Sequence, residues 1–308
     1  MKVKSGPIAW LQYIALRMAF AVMQMFPIDR NLATAGWIGR LWPRIMPRHR
    51  QRAMDNLKAA YGDALSPEHL GGVADRCLES VAMLAVESIC LPRLINKFTW
   101  SRYIQTRNLD ETVELVLSGK GVILVTAHYG SFEVTAHLLA AMGFDVAAIM
   151  RPLDNAYLNR FMVQTRRTHG MSLLDKKGAS GEAQQVLEDG KLLAFVGDQD
   201  AGRKGVFADF FGRPASVYKS IGLLAMVTGR PIVVGYARRL GRGARYEVGV
   251  QRVIRREEWD AQADPLRWIT QTYTRAIEDF VRQDPTQYWW MHRRWKSQPK
   301  SGSAAMPR

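Results

Sequence analysis

The sequence predicts an α/β protein: a mainly parallel central sheet flanked by helices, preceded by a helical, membrane-associated arm. Three observations carry this reading. From about residue 98 onward, short runs of β-branched and aliphatic residues such as Val122 to Thr126 and Leu192 to Val196 alternate with stretches of helical spacing, the signature of successive βα units. Before that point the chain carries helix signals only. At its very start, Pro7 to Phe26 is an almost unbroken apolar stretch, interrupted by Gln12, Arg17 and Gln24 and flanked by Lys2, Lys4 and Arg30.

A stretch of that length, about 20 residues, could reach across a bilayer. Arg17 would be costly at the bilayer centre, and no small-residue cleavage site marks a signal peptide. A full span, an interfacial anchor and a buried amphipathic helix all fit the composition; a membrane-contacting helix is the reading adopted, with its orientation open because both flanks are basic. Leu32 to Trp42 and Arg48 to Tyr61 read as helices, the first closed by Pro43 and the second followed by a Gly62-Asp63 turn. Ser66 is a capping hydroxyl and Pro67 a first-turn proline for a helix running toward Leu91 before Pro92. The alternation then predicts a strand at Thr99 to Gln105, a helix from Asp110, a strand at Val122 to Thr126, a helix from Phe132 and a strand at Val146 to Met150. It continues with a helix at Ala156 to His169, a strand at Met171 to Leu174 and a helix at Gly181 to Glu188. Strands at Leu192 to Val196, Ile232 to Ala237 and Tyr246 to Val250 and a helix at Pro265 to Arg282 complete it. No repeat or long linker interrupts this order, so residues 1–30 read as an anchor, 31–296 as one domain and 297–308 as a loose tail.

Composition narrows the partners. With 308 residues and 47% hydrophobic content the chain can bury a large core and is too apolar to be disordered. Its 43 Lys and Arg against 28 Asp and Glu leave a net charge of +15, which suits an acidic carrier protein, an anionic membrane surface or nucleic acid. The basic residues are scattered and no zinc finger, ribonucleoprotein signature or heptad-linked basic region accompanies them, so a nucleic-acid partner is not expected. Cys77 and Cys90 lack C-x-x-C spacing and read as buried thiols.

The chemistry concentrates after the strand at residues 122–126. His128 and Glu133 flank Tyr129-Gly130-Ser131-Phe132, with the histidine on the turn and the glutamate inside the next helix. Five residues apart in one continuous helix they would diverge by about 140°, so they meet only if His128 precedes the first turn, and Gly130 supplies the bend. A neutral imidazole held by a carboxylate can take a proton from an alcohol brought by the substrate. Ser131 lacks the G-x-S-x-G frame of a nucleophile elbow. The same residues also suit a core histidine beside a helix-start glutamate. Ligands of open α/β sheets bind at the C-terminal strand ends, and two further polar segments fall there. Arg151 and Asn155 follow the strand ending at Met150, as anion holder and polar contact or as a solvated arginine and a helix cap. Asp198, Gln199 and Asp200 follow Val196, able to bind hydroxyls or Mg²⁺ or simply to satisfy a turn.

His128-Tyr-Gly-Ser-Phe-Glu133 resembles the H-x₄-[DE] motif of the glycerolipid and lysophospholipid acyltransferases. The order of the remaining segments resembles the bacterial lipid A late-acyltransferase branch: Met150-Arg-Pro-Leu-Asp-Asn155, Gly197-Asp-Gln-Asp-Ala-Gly202, Gly205 to Ala215, Arg230-Pro-Ile-Val-Val234 and Tyr288-Trp-Trp-Met-His-Arg-Arg-Trp295. Ala127 and Ser131-Phe132 stand where that branch more often has asparagine and Asn-Trp. The resemblance implies transfer of a fatty acyl chain from acyl carrier protein, or from acyl-CoA, to a hydroxyl of a phosphorylated glycolipid at the cytoplasmic face of the inner membrane. His128 and Glu133 would be the catalytic pair, and Arg151, Asn155, Asp198 and Gln199 would bind substrate, with neither cofactor nor metal. Two other enzymes fit parts of the sequence: a sugar transferase using Asp198-Gln-Asp200 as a D-x-D metal site, and a zinc hydrolase built on His128, Glu133 and His137. A non-catalytic membrane scaffold with an acyltransferase-like sheet is a third alternative.

Overall fold

A computed structural model describes residues 4–150, 152–168, 170–175 and 179–299. Four helices form the arm: α1 (Pro7–Met23), α2 (Ile28–Ile45), α3 (Pro47–Tyr61) and α4 (Pro67–Leu94). Ser66 Oγ accepts from the His69 peptide N–H at 3.2 Å, so α4 starts at the expected cap. Pro43 and Pro92 sit in the last turns of α2 and α4, and each helix ends two residues beyond its proline. The α2 and α4 backbones pack closely at Gly39, where a Cβ would lie 2.6 Å from Glu79 Cα. No helix among the described residues is long and apolar enough to cross a membrane.

The α/β body continues with α5 (Trp100–Tyr103), β1 (Ile104–Arg107), α6 (Asp110–Leu117), β2 (Val122–Thr126), α7 (Glu133–Ala141), β3 (Val146–Met150), α8 (Ala156–Thr168), β4 (Met171–Asp175), α9 (Ala179–Glu188) and β5 (Leu192–Val196). After these come β6 (Val206–Phe210), β7 (Arg213–Val217), α10 (Ser220–Thr228), β8 (Ile232–Arg239), β9 (Tyr246–Ile254), α11 (Arg256–Asp260) and α12 (Pro265–Gln283). Seven strands form one sheet in the order β1-β9-β8-β2-β5-β3-β4. The five from β8 to β4 run parallel, while β9 pairs antiparallel with β8 and carries β1 alongside it. Buried Ile123, Val125, Leu193, Ile232 and Val234 pack toward one large core with Ile277 and Phe280 of α12; Leu124, Leu192 and Val233 join a smaller one.

Five elements differ from expectation: β1, β6, β7, α10 and the short α11, which the sequence reading did not include. The strand expected at Thr99 to Gln105 starts only at Ile104, because Asn96 and Thr99 close a local turn, Asn96 N–H to Thr99 Oγ1 at 3.2 Å and Trp100 N–H to the Asn96 carbonyl at 3.0 Å. The hairpin β6–β7 turns on Phe211 and Gly212, with φ of 57° and 71°. Two left-handed residues make a type I′ turn, normally announced by Asn-Gly. Here the cost at Phe211 is offset by burial of its ring against Tyr61 and Trp290. Helix α10 escapes a periodicity reading because it is apolar on every side. The tail expected from residue 297 falls mostly outside the described residues, and Ser297 itself is tied to Asp200.

Candidate active site

Strands β2 and β5 are neighbours in parallel register, with Thr126 opposite Val196. Two residues beyond that pair, on each side, stand His128 and Asp198. The register therefore delivers an imidazole and a carboxylate to the same point of the C-terminal sheet edge. His128 Nδ1 lies 2.7 Å from Asp198 Oδ1, and the His128 peptide N–H donates to Asp198 Oδ2 at 3.1 Å.

The loop bearing His128 is stapled from two sides. Trp289 N–H donates to the His128 carbonyl at 2.9 Å, Gly130 N–H to the Gln287 carbonyl at 3.0 Å and Ser131 N–H to the Ala237 carbonyl at 2.8 Å. Gly130 has φ of 54°, and a Cβ there would stand 2.3 Å from the Ala237 oxygen. Any side chain would push the loop off β8. The rings of Phe132, Trp289 and His292 meet the imidazole edge-on at centroid distances of 5.3, 5.1 and 5.9 Å.

Asp198 is buried, which opposes its ionisation, but His128, His292 and Arg294 outweigh burial and hold it well below the usual carboxylate range. Burial, with His128 and Arg294 acting in the same direction and Asp198 against, lowers His292 to about 4. His292 is therefore neutral at physiological pH while Asp198 is charged. An ionised Asp198 can only accept, so the proton of neutral His128 sits on Nδ1 and Nε2 offers a lone pair.

Glu133 corrects the expected pairing. It opens α7, but its Oε1 accepts from Arg166 Nη2 of α8 at 2.7 Å, and its Oε2 lies 3.9 Å from His137 Nε2. The carboxylate at His128 Nδ1 is thus Asp198, expected instead as a substrate-binding rim residue. The physical reason is register: a neighbouring strand end reaches Nδ1 more directly than a side chain five residues on. Glu133 and His128 do share a wall of one cavity of about 700 Å³, with Arg166, Gln184, Gln199, Tyr218 and Ser220 as further polar lining and Ile149, Phe195 and Leu224 among its apolar groups. Gln199 is exposed there, its amide nitrogen 3.4 Å from His128 Nε2.

Asn155 stands elsewhere. Its Oδ1 accepts from the Tyr157 and Leu158 peptide N–H groups at 3.0 and 3.2 Å, and its Nδ2 donates to the Ala9 carbonyl at 2.9 Å. It caps α8 and docks α1 rather than contacting the cavity, so its expected substrate-binding role is not supported. Arg151 lies outside the described residues. The two acids of Asp198-Gln-Asp200 diverge: Asp198 turns to His128, and Asp200 accepts from Ser297 N–H and Oγ–H at 3.1 and 3.0 Å. A D-x-D metal pair needs both carboxylates on one ion, and this pair does not present them so. Donor atoms of His128, Asp198 and His292 do lie within 4.8 Å of one another; a cation there would displace the Nδ1–Oδ1 hydrogen bond. Arg166, Trp289 and His292 are site residues that linear spacing did not reveal. The equal two-residue offset of His128 and Asp198 past their strands was the one signal available for that pair.

Residues 3–297 match the protein family described as bacterial lipid A biosynthesis acyltransferase. The chain is 22% identical over 304 residues to the lipid A biosynthesis lauroyltransferase of Escherichia coli (strain K12), covering 96% of this chain and 94% of that protein. It is 22% identical over 308 residues to the lipid A biosynthesis palmitoleoyltransferase of the same strain, covering 97% and 95%. A phosphatidylinositol mannoside acyltransferase of Mycobacterium tuberculosis (strain ATCC 25618 / H37Rv) is 23% identical over 144 residues, 46% of each chain.

Proposed function

The chain belongs to the bacterial lipid A biosynthesis acyltransferase family and is an acyltransferase, and from that premise we propose that it moves a fatty acyl chain from an acyl thioester to a hydroxyl of a lipid A precursor or related phosphorylated glycolipid. The observation that carries the mechanism is the 2.7 Å contact between His128 Nδ1 and a buried, ionised Asp198. It leaves Nε2 basic at the cavity. His128 takes the proton of the acceptor hydroxyl through Nε2 as that oxygen attacks the thioester carbonyl. We assign the Gln199 amide, 3.4 Å from Nε2, as a donor to the tetrahedral oxyanion. Collapse re-forms the carbonyl, breaks the carbon–sulfur bond and returns the proton from the imidazolium to the departing thiolate. Asp198 orients the ring and stabilises its charged form. Glu133 works through Arg166, fixing that guanidinium in the cavity wall, where it can hold an anionic part of either substrate.

A cavity of about 700 Å³ is of the size that encloses an extended small ligand, and its apolar side suits the acyl chain. The +15 charge favours an acidic carrier protein as donor. Ile8, Leu11, Ala15, Met18 and Val22 form one exposed apolar stripe along α1, opposite the face that packs on α8 through Tyr13 and Phe20. That stripe supports a helix lying in the interface of the inner membrane, on its cytoplasmic side, with residues 31–296 as the catalytic body.

The test is steady-state kinetics with acyl carrier protein thioesters and a panel of phosphorylated glycolipid acceptors, product masses being read directly. We expect His128→Ala to lower kcat by ~10² to 10⁴, and Asp198→Asn to lower kcat with KM little changed. Glu133→Gln should raise KM instead. A folded His128→Ala enzyme with near-normal transfer would remove the proposal, and loss of kcat confined to Glu133→Gln would return the orienting role to that residue.

A further inference from the structure

Arg17 is the one charged residue of α1; it is exposed, and its guanidinium stacks on two rings of the fold. Its guanidinium carbon lies 4.5 Å from the centroid of the Phe161 ring of α8 and 5.9 Å from that of Tyr13. Stacking of this kind orients a guanidinium and leaves its N–H edge open for hydrogen bonding. Arg17 lines a cleft of about 390 Å³ between α1 and α8, together with Tyr157, Arg160 and Gln164. Arg160 and Gln164 continue into an adjoining cleft of about 440 Å³ that ends at Arg167. Among the described residues, no acidic side chain lines either part.

We propose that this groove binds a phosphate ester of a lipid headgroup. The inference rests on the membrane-facing reading of α1 given above. The exposed apolar stripe of α1 would place the helix at the acyl boundary, and Arg17, turned away from that stripe, would then sit at headgroup level. Guanidinium pairs hold phosphate oxygens by parallel charge-assisted hydrogen bonds, and Arg17 and Arg160 come from two helices that converge on one cleft. The fold fixes that convergence: Asn155 bonds to the Ala9 carbonyl, and Tyr157 Oη donates to the Ser5 carbonyl at 3.1 Å. On α8, Arg160 and the cavity-lining Arg166 stand about 9 Å apart along the helix axis and about 120° apart around it, so the groove and the catalytic cavity occupy different faces of the same helix.

The phosphate can belong to the acceptor or to an anionic bilayer lipid, and two binding measurements separate these sources without requiring turnover. In the first, full-length protein in neutral detergent micelles is titrated with a phosphorylated glycolipid and with its dephosphorylated counterpart. In the second, it is co-sedimented with phosphatidylcholine vesicles with and without phosphatidylglycerol. Arg17→Gln/Arg160→Gln is compared with wild type in both, after thermal melting shows that it is folded. If the acceptor is the source, the variant binds the phosphorylated glycolipid at least ~10-fold more weakly, about 1.4 kcal/mol, and the dephosphorylated one unchanged. If a bilayer lipid is the source, only the gain from phosphatidylglycerol is lost. Restoration by Arg17→Lys/Arg160→Lys would trace the effect to charge rather than to packing. Unchanged binding in both measurements by a folded variant overturns the proposal. Loss of all vesicle binding by wild type, with micellar glycolipid binding intact, would instead remove the membrane reading of α1.

Discussion

His292 sits behind Asp198, its Nε2 4.0 Å from Oδ2 and 3.4 Å from the Tyr288 hydroxyl. Burial lowers it to about 4 from an ordinary value of 6.5, so between those limits the unfolded chain binds a proton that the folded protein refuses. The contribution is therefore complete above pH 6.5 and is lost as pH falls toward 4. Its upper bound is about 3 kcal/mol. We expect denaturant midpoints measured from pH 7.5 to 4 to fall over that interval, and His292→Asn to flatten the fall. An unchanged slope in the variant would place the acid sensitivity elsewhere. Asp198 adds a second loss only at lower pH, since its depressed value stabilises the fold above the ordinary carboxylate range. At this scale the sequence revealed His128 because a lone histidine directly after an apolar strand is conspicuous. It did not reveal Asp198 as the partner, because that pairing depends on which strand lies beside β2, and strand order has no local signal.

At the scale of elements, the helical arm is fastened to the sheet by an ion pair with almost no solvent contact. Arg239 of β8 donates from Nε and Nη2 to the two oxygens of Glu87 on α4, at 2.6 and 2.8 Å, and Tyr246 of β9 donates to the same carboxylate at 2.9 Å. Taking two charges out of water is costly, so such a pair gives little net stability, but removing one partner strands the other. Glu87→Ala should therefore destabilise by ~3–5 kcal/mol, readable in thermal or denaturant unfolding, whereas the paired replacement Glu87→Met/Arg239→Met should recover most of the loss. If the double variant is as unstable as the single one, the pair does more than satisfy its own charges. Elements with a local period were legible: α4 with its Ser66 cap, and β2, β3 and β5 as continuous apolar runs. The β6–β7 hairpin and α10 were not, since Phe211 holds a left-handed turn through burial of its ring, and a nine-residue segment that is apolar between its terminal Ser220 and Thr228 has no polar face to detect.

Over the whole molecule the excess of positive charge is spread through many arginines rather than drawn into one nucleic-acid motif. Such a field acts at long range, raising the frequency of productive encounters with an acidic carrier while adding little to the contact once formed. Screening works against it, because the Debye length shortens to ~8 Å at physiological salt. Under the proposed function, kcat/KM for an acyl carrier protein thioester should fall by about 10-fold or more as ionic strength rises from low to physiological. With steering as the cause, kcat itself should stay level, since Asp198 is buried and His128 nearly so. Stopped-flow association of the carrier and steady-state turnover across a salt series measure the two quantities separately. A kcat/KM that is flat with salt would mean that the charge serves the membrane surface or the acceptor phosphates alone, and that the donor is recognised by short-range contacts at the cavity mouth.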